Sequence, residues 1–310
     1  MRNGSIAMDR AGETVSGIRS KSDRTVDLVV YFLITLIFIV TAYPLIYVIS
    51  CSISSPAAVL RGEVYLWPVR ATLMSYEKIF KEGTLSLGLG NSIKYTLVGT
   101  AINLLLTTTG AYALSNKELR GRKLATKFIL FTMLFNAGLI PTYLVVKDLG
   151  LINTLWAITL PNAIGVTNFI IMKSTFEVSI PNDIKEAAYV EGASQITTFV
   201  RIILPLSLPI IAVMTIFYSV GHWNEYFNAL IYLVDKHHHP LQVVLRDILV
   251  SNEIHEAVSD ANTLNGDDRQ ALSEGIRYAI IVVASLPMVA MYPFFQRFFI
   301  KGVMVGAVKG

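Results

Sequence analysis

The chain alternates between long apolar stretches and short polar ones, and this pattern predicts its main elements. A helix needs about 20 apolar residues to cross the hydrocarbon core of a bilayer. Segments close to that length and free of Lys, Arg, Asp and Glu occupy residues 28–50, 95–114, 128–146, 154–172, 202–224 and 278–296. The pattern therefore predicts an all-α membrane protein with six transmembrane helices.

The fifth apolar segment continues past Asn224 almost to Val234. A single helix from 202 to 234 would be about 50 Å long at roughly 1.5 Å per residue, which exceeds one crossing. We therefore predict a break at 221–224, where Gly, His, Trp and Asn follow one another. Residues 226–234 would then form a second short apolar piece near the outer surface or re-enter the bilayer.

Composition and charge support a membrane location. Hydrophobic residues make up 53% of the chain, charged residues only 15%, and the mean hydropathy is +0.55. Residues 1–27 are basic and lack an apolar core, so they form a polar tail and not a signal peptide. Lys and Arg are more numerous in this tail, the polar loops at 115–127 and 173–201 and the C-terminal tail 301–310 than in the loops on the other side. The positive-inside rule then predicts cytoplasmic termini, a transmembrane domain at 28–300 and an outer loop at 235–275. Within this loop, residues 241–250 are expected to form a short surface helix.

The transmembrane segments lack the groups of a self-sufficient pump. Secondary transporters usually carry buried charges that bind the driving ion, and the six segments have none. The sequence also lacks the Gly-x-x-x-x-Gly-Lys-Ser/Thr loop of ATP-binding proteins. We therefore predict a non-catalytic chain that holds no cofactor and draws energy from a partner. A stand-alone ion-coupled carrier or channel is the alternative.

The polar loop 179–205 carries the most specific pattern in the chain. Its start, Ser-Ile-Pro-Asn-Asp, is typical of a helix N-terminus, with a Ser or Asn cap, a proline in the first turn and an acid near the positive helix end. Glu186 offers a carboxylate to a basic partner, and Gly192 would end the helix in a turn. Helical spacing places four residues on one face of this helix: Ile184, Ala187, Ala188 and Glu191. The alternative is an amphipathic helix that packs on its own protein.

The order of residue types in this loop resembles the Glu-Ala-Ala (EAA) loop in the membrane subunits of ABC importers. The family pattern is Glu-Ala-Ala, three residues, Gly, nine residues, Ile, one residue, Leu-Pro. It is matched by Glu186, Ala187, Ala188, Gly192, Ile202, Leu204 and Pro205. The chain departs from the commonest version at Glu191, where Asp is usual before the Gly, and the charge is kept.

Further segments extend the resemblance over most of the chain from residue 28 to residue 310. They are similar to the carbohydrate permeases of maltose-type, type I importers, and within these to the branch that takes up polysaccharide fragments, alginate among them. The segments lie at 43–45, 61–64, 138–143, 221–233 and 240–242.

The resemblance implies a type I importer permease fold with a cytoplasmic coupling helix, in a multi-pass protein of the bacterial inner membrane. It implies four kinds of partner besides lipid: a homologous permease subunit, a dimer of ATP-binding subunits holding ATP and Mg, an extracytoplasmic solute-binding protein, and an oligosaccharide, for which alginate fragments are a candidate. In relatives the C-terminal tail reaches the ATPase dimer, so Val308 and Lys309 are candidate contacts; a frayed terminus is the alternative.

Candidate sugar-binding groups lie at apolar depth, because amides and aromatic faces recognise sugars. Each of them is alternatively a hydrogen-bonding group between helices. The run His237–His239 does not predict a metal site, because three consecutive side chains do not converge from a regular element. Nucleic acid is not predicted either, because membrane orientation accounts for the net charge of +4. The candidate pathway residues are Asn136, Trp223, Asn224, Tyr226, Asn228 and Tyr232.

Overall fold

The structure is a computed structural model that describes residues 21–81, 83–135, 137–250 and 266–307. Within these ranges the chain consists of helices and connecting turns and has no strand, so the all-α prediction is confirmed. A π-helical turn, Phe199–Ile203, and a 3-10 turn, Lys236–His238, complete the elements. The helices are α1 (Lys21–Ser52), α2 (Pro56–Leu60), α3 (Met74–Lys81), α4 (Thr84–Ser115), α5 (Arg122–Leu134), α6 (Leu139–Asp148), α7 (Leu155–Thr159), α8 (Val166–Ser179), α9 (Asn182–Val190), α10 (Gln195–Thr198), α11 (Leu204–Leu206), α12 (Leu208–Trp223), α13 (Phe227–Tyr232), α14 (Leu241–Val250) and α15 (Gly266–Ala307).

Helix α4 lies at the centre of the bundle, because α8, α12 and α14 all pack against it. Glycines on α4 allow the close approach. A Cβ on Gly99 would lie 2.5 Å from the ring of His222 on α12, and one on Gly110 would lie 2.9 Å from Phe169 on α8. Small residues at helix contacts are typical of membrane bundles, where dispersion contacts hold the helices together. A second group forms around α15, which packs against α1, α2, α3, α12 and α14.

The predicted spans correspond only in part to single helices. Of the described helices, α1, α4 and α15 are long and apolar enough to cross a membrane. Two more candidates are bent pairs: α5 with α6, at 115°, and the segment 195–206 with α12, at 80°. The predicted span 154–172 divides between α7 and α8, which have 5 and 14 residues. The described chain therefore has three spans by length, or up to five, and the count of six stays a prediction.

Several helices continue beyond the predicted spans. Helix α1 begins at Lys21, inside the predicted tail 1–27, and α15 begins at Gly266, inside the predicted loop 235–275. Helix α15 then continues to Ala307, inside the predicted tail 301–310. Charged residues such as Lys, Arg and Glu are good helix formers, so the end of an apolar run does not mark the end of a helix. The domain boundaries stay predictions about the membrane.

The outer loop holds a packed helix at its start. We expected a short surface helix at 241–250, and α14 has these bounds, but Leu241 and Val243 are fully buried. The N-terminal half of α4 holds the preceding turn: Asn91 donates to the carbonyl of His237 at 2.8 Å, and the Tyr95 hydroxyl donates to that of His238 at 2.8 Å. The histidine run is therefore fixed through its backbone.

Candidate functional site

The predicted coupling helix exists as α9, although it begins differently from the expectation. Neither Ser179 nor Asn182 is its cap, because Ser179 is the last residue of α8 and Asn182 is the first of α9. Pro181 occupies the N-cap position without a capping side chain, and Asp183 provides the acid in the first turn. The N-terminus thus relies on the favourable charge of Asp183 near the helix dipole.

The C-terminus of α9 is closed by Gly192 in a Schellman motif. The Ala193 N–H donates to the carbonyl of Ala188 at 2.9 Å, and the Gly192 N–H donates to that of Tyr189 at 3.0 Å. Gly192 has a φ of +78°, a left-handed conformation that favours glycine because L side chains are strained there. A Cβ at this position would meet nothing within 4 Å, so the surface around it is open.

The exposed surface of α9 differs from the predicted face. Ala188 is only 4% exposed and packs inward, so it does not share an open face with Ala187. The exposed residues include two large apolar side chains, Tyr189 at 81% and Val190 at 85%. Among the helices that the structure describes, α10 makes the main backbone contact with α9. The open surface of α9 and its cap comprises Glu186, Ala187, Tyr189, Val190, Glu191 and Gly192.

The second half of the motif makes a sharp turn into α12. After α10 the backbone passes through the π-helical turn, which contains Ile202, into α11 with Leu204 and Pro205. The helix axis then bends by 80° at Ser207. Pro205 and Pro209 have no N–H to donate, so hydrogen bonds are missing on both sides of the bend. Through this bend the chain runs from the α9 region into α12, which is part of a candidate membrane span.

Sequence reasoning missed a charged cluster beside α9. Glu177, near the end of α8, accepts a hydrogen bond from Lys173 at 2.9 Å and another from Arg122 at the start of α5. Arg122 also donates through Nε to the carbonyl of Leu114 at 2.8 Å. Arg122 and Glu177 are 55 positions apart, and only helical spacing between Lys173 and Glu177 was visible in the sequence.

The electrostatics of this region follow from partial burial and opposite charges. Burial acts to raise the pKa of Glu177, but Lys173 and Arg122 outweigh it and hold that pKa below its ordinary value. Burial lowers the pKa of Lys185 on α9, while the Glu177 carboxylate acts to raise it. The Lys185 ammonium lies 5.7 Å from the ring centroid of Tyr112 on α4, within the range of a cation–π contact.

A second feature is a cleft of about 570 Å³ among α12, α14 and α15. Trp223 contributes to its wall, with its indole N–H donating to the carbonyl of Ala284 at 3.0 Å. Among the described lining residues there is no Lys, Arg, His, Asp or Glu. The polar groups that line the cleft belong to Trp223, Asn224, Gln242, Ser285 and Tyr292.

The structure separates the candidate pathway residues. Trp223 and Asn224 line the cleft, and α12 ends at Trp223, so the predicted break is confirmed. Tyr232 lies elsewhere, 1% exposed and stacked on Tyr143 with 6.1 Å between ring centroids. Tyr226 and Asn228, around the start of α13, are not among the cleft residues. Asn136, Val308 and Lys309 lie outside the described residues.

A buried amide that the sequence did not single out joins three parts of the bundle. Asn103 on α4 donates through Nδ2 to the carbonyls of Asn162, at 2.8 Å, and Ala163, at 3.0 Å, in the α7–α8 connection. Its Oδ1 lies 2.6 Å from Nε2 of His222 on α12. Because Nδ2 must be the donor, Oδ1 accepts and His222 carries its proton on Nε2. A single Asn in an apolar helix gave no sign of these partners.

The fold and the loop around α9 define an all-α membrane permease subunit. A scan against models of protein families finds no match. The chain is 42% identical to Protein LplC of Bacillus subtilis (strain 168) over 274 residues, 87% of this chain and 90% of that one. It is 38% identical to the polygalacturonan/rhamnogalacturonan transport system permease protein YtcP of the same organism over 289 residues, 93% of this chain and 99% of that one.

A solved structure of a polysaccharide transporter is also similar to this chain. The chain matches a crystal structure of a bacterial ABC transporter involved in the import of the acidic polysaccharide alginate, with a TM-score of 0.82 and 34% identity. The match covers 92% of this chain and all of the other. The chain belongs to the family of ABC sugar transport permeases. It is accordingly a non-catalytic membrane subunit, and ATP hydrolysis lies in a separate subunit.

Proposed function

We propose that the chain forms half of the translocation pathway of an oligosaccharide importer, paired with a homologous permease subunit. In this proposal α9 docks in a groove of an ATPase subunit, and closure of the ATPase dimer moves the membrane helices. The observation that carries it is the open surface of α9, where Tyr189 and Val190 are more than four-fifths exposed beside Glu186 and Gly192. Apolar side chains so exposed on a polar loop are typical of a binding surface.

We propose that α9 is cytoplasmic, with both termini on that side and the loop 235–275 outside. The arrangement along α4 supports opposite sides for α9 and this loop. The α9 end of α4 carries Tyr112, and the opposite end carries Asn91, which holds the 236–238 turn. A helix of 32 residues is about 48 Å long, enough to separate the two ends across a bilayer. The outer end would then meet the solute-binding protein.

For the substrate we propose oligosaccharides cut from acidic polysaccharides, with alginate fragments as the first to test. YtcP is named for the transport of polygalacturonan and rhamnogalacturonan, and the similar solved structure is of a transporter involved in the import of alginate. The cleft lined by Trp223, Asn224 and Gln242 would be this chain's part of the pathway. Amide N–H groups donate to hydroxyls and carboxylates alike, and an aromatic face packs on a sugar ring.

Reconstitution tests this proposal. The chain, its partner permease and the ATPase are co-expressed and placed in proteoliposomes, and uptake of labelled alginate oligosaccharides is measured with solute-binding protein outside. We expect uptake only when ATP is inside, and none when the phosphate-loop lysine of the ATPase is replaced. Uptake that persists without the ATPase would favour the stand-alone carrier and contradict the proposal. ATP-driven uptake of a neutral oligosaccharide but not of alginate fragments would contradict the substrate alone.

A further inference from the structure

The connection between α9 and the bundle is short, and a charged side chain lies in the last turn of α8, where this connection begins. Only Ile180 and Pro181 separate α8 from α9, and Ile180 is buried against the core that includes Phe176. A displacement of α9 therefore acts first on the last turn of α8. That turn carries Glu177.

Glu177 joins this turn to two other helices. It accepts hydrogen bonds from Lys173 on its own helix and from Arg122 on α5, and Arg122 in turn donates to the carbonyl of Leu114 on α4. The Leu114 carbonyl belongs to the last turn of α4, where carbonyls lack helical partners and the dipole favours a cation. We call Arg122, Lys173 and Glu177 the Glu177 clasp.

Tyr112 adds a second connection between α4 and the loop 179–205, which we call the coupling loop. Its ring lies under the Lys185 ammonium of α9 and 4.8 Å from the ring centroid of Phe199 in the π-helical turn. It also makes an edge contact with Phe176 on α8, at 6.3 Å between centroids. Both halves of the coupling loop therefore rest on the same end of α4 that the Glu177 clasp holds.

We propose that Glu177 is a positioning residue that makes α9, the end of α8 and the α4–α5 junction move as one unit. This inference rests on the proposed coupling role of α9. The clasp is partly buried, with side-chain exposures of 24% for Arg122 and 23% for Glu177. Replacing Glu177 leaves the Arg122 and Lys173 charges uncompensated in poorly hydrated surroundings, and replacing Arg122 removes the link from Glu177 to α5 and α4, so the junction loosens in either case. A movement applied to α9 then bends the junction and reaches α4 only in part.

The first test measures a distance within the complex of the two permeases and the ATPase. Spin labels replace the exposed Asp183 on α9 and Lys123 on α5, in a chain whose buried Cys51 is changed to Ala. We expect one narrow distance distribution, unchanged when Mg-ATP is added. Glu177→Gln should broaden it or shift it with Mg-ATP. Arg122→Gln should do the same, and it tests the same contact if Glu177→Gln does not fold.

The chain offers a matched control. Glu274 and Arg277 on α15 form an ion pair with the same 2.9 Å separation as Lys173 and Glu177 and with exposures of 31% and 30%. Glu274→Gln should leave the distribution as in the wild type. A wild-type distance that changes with Mg-ATP, or clasp variants as narrow as the control, would overturn the inference. If Glu177→Gln loses the ATPase while the Glu274→Gln control keeps it, the inference is also overturned, because Glu177 would then act in docking.

A functional readout separates transmission from assembly. In proteoliposomes supplied with alginate oligosaccharides, Glu177→Gln should retain the ATPase subunit yet hydrolyse about fivefold more ATP per sugar taken up. The wild-type ratio in this variant would contradict the inference. If the wild-type chain itself binds no ATPase, the proposed function fails, and the inference fails with it for that separate reason. If only alginate uptake fails in the wild type, the distance measurement still tests the inference about Glu177.

Discussion

Gly192 illustrates how one residue can serve the chain and its proposed partner in different ways. Within the chain its positive φ closes α9, and a side chain there would be strained by about 1–2 kcal/mol. The space around it is otherwise open, because no atom lies within 4 Å of a Cβ at this position. Obstruction at this site would therefore come from outside the chain.

Gly192→Asn separates these two roles. Asn tolerates the left-handed conformation, so we expect little change in the stability of the chain but a clear loss of co-purified ATPase. Gly62 is the matched control, since it has a φ of +69° and the same empty surroundings at the end of α2. Gly62→Asn should keep the ATPase. Equal ATPase recovery from the two variants would contradict a partner at Gly192.

At the scale of elements, the broken helices determine how the bundle is held together. The α7–α8 connection exposes backbone carbonyls inside the bundle, and Asn103 on α4 satisfies those of Asn162 and Ala163 while accepting from His222 on α12. Unsatisfied carbonyls in apolar surroundings are costly. The amide thus allows the break at 160–165 without opening the core.

Asn103→Leu should therefore destabilise the chain by about 1–2 kcal/mol, because two carbonyls and the His222 N–H lose their partner. The measurement is the thermal unfolding midpoint in detergent, which should fall. Thr109→Val is the control: Thr109 is exposed on the same helix and bonds only within it, to Leu105 at 2.6 Å and Leu106 at 3.4 Å. A midpoint for Asn103→Leu that equals that of the control would mean that the network adds no stability.

Local signals explain which elements were predictable from sequence. The end of α9 at Gly192, the break after Trp223 and the bounds of α14 each depend on residues close together in the chain, and the structure has them where they were expected. The N-cap of α9 was not predicted correctly, because Ser179 is the last residue of α8 and Pro181 takes the cap position. Propensity alone does not decide which of two adjacent helices takes a residue.

At the scale of the whole molecule, the family assignment accounts for a bundle whose surface is largely apolar. Helix α1 is an example: its candidate span, 25–52, has none of its most apolar window buried within the chain. Lipid and a second permease subunit are the surroundings that such a surface requires in our proposal. In our proposal the chain is one part of an assembly, and its mechanism depends on contacts across that assembly.

Long-range contacts are what the sequence could not predict. Arg122 meets Glu177 across 55 positions, and Asn103 meets the α7–α8 connection across about 60, so neither pairing follows from local periodicity. The same limit applies to the candidate sugar residues. Tyr232 was selected for its position near the break, yet packing buries it against Tyr143, whereas Gln242 lines the cleft and was not selected.

The most direct measurement of the central claim is a cryo-electron microscopy map of the two permeases bound to the ATPase dimer. We predict that α9 lies in a groove of one ATPase subunit, with Glu186, Tyr189 and Val190 buried in that contact and Gly192 covered by the groove. A map in which the ATPase binds elsewhere, and the same surface of α9 faces solvent, lipid or its own bundle, would contradict the docking of the ATPase on α9.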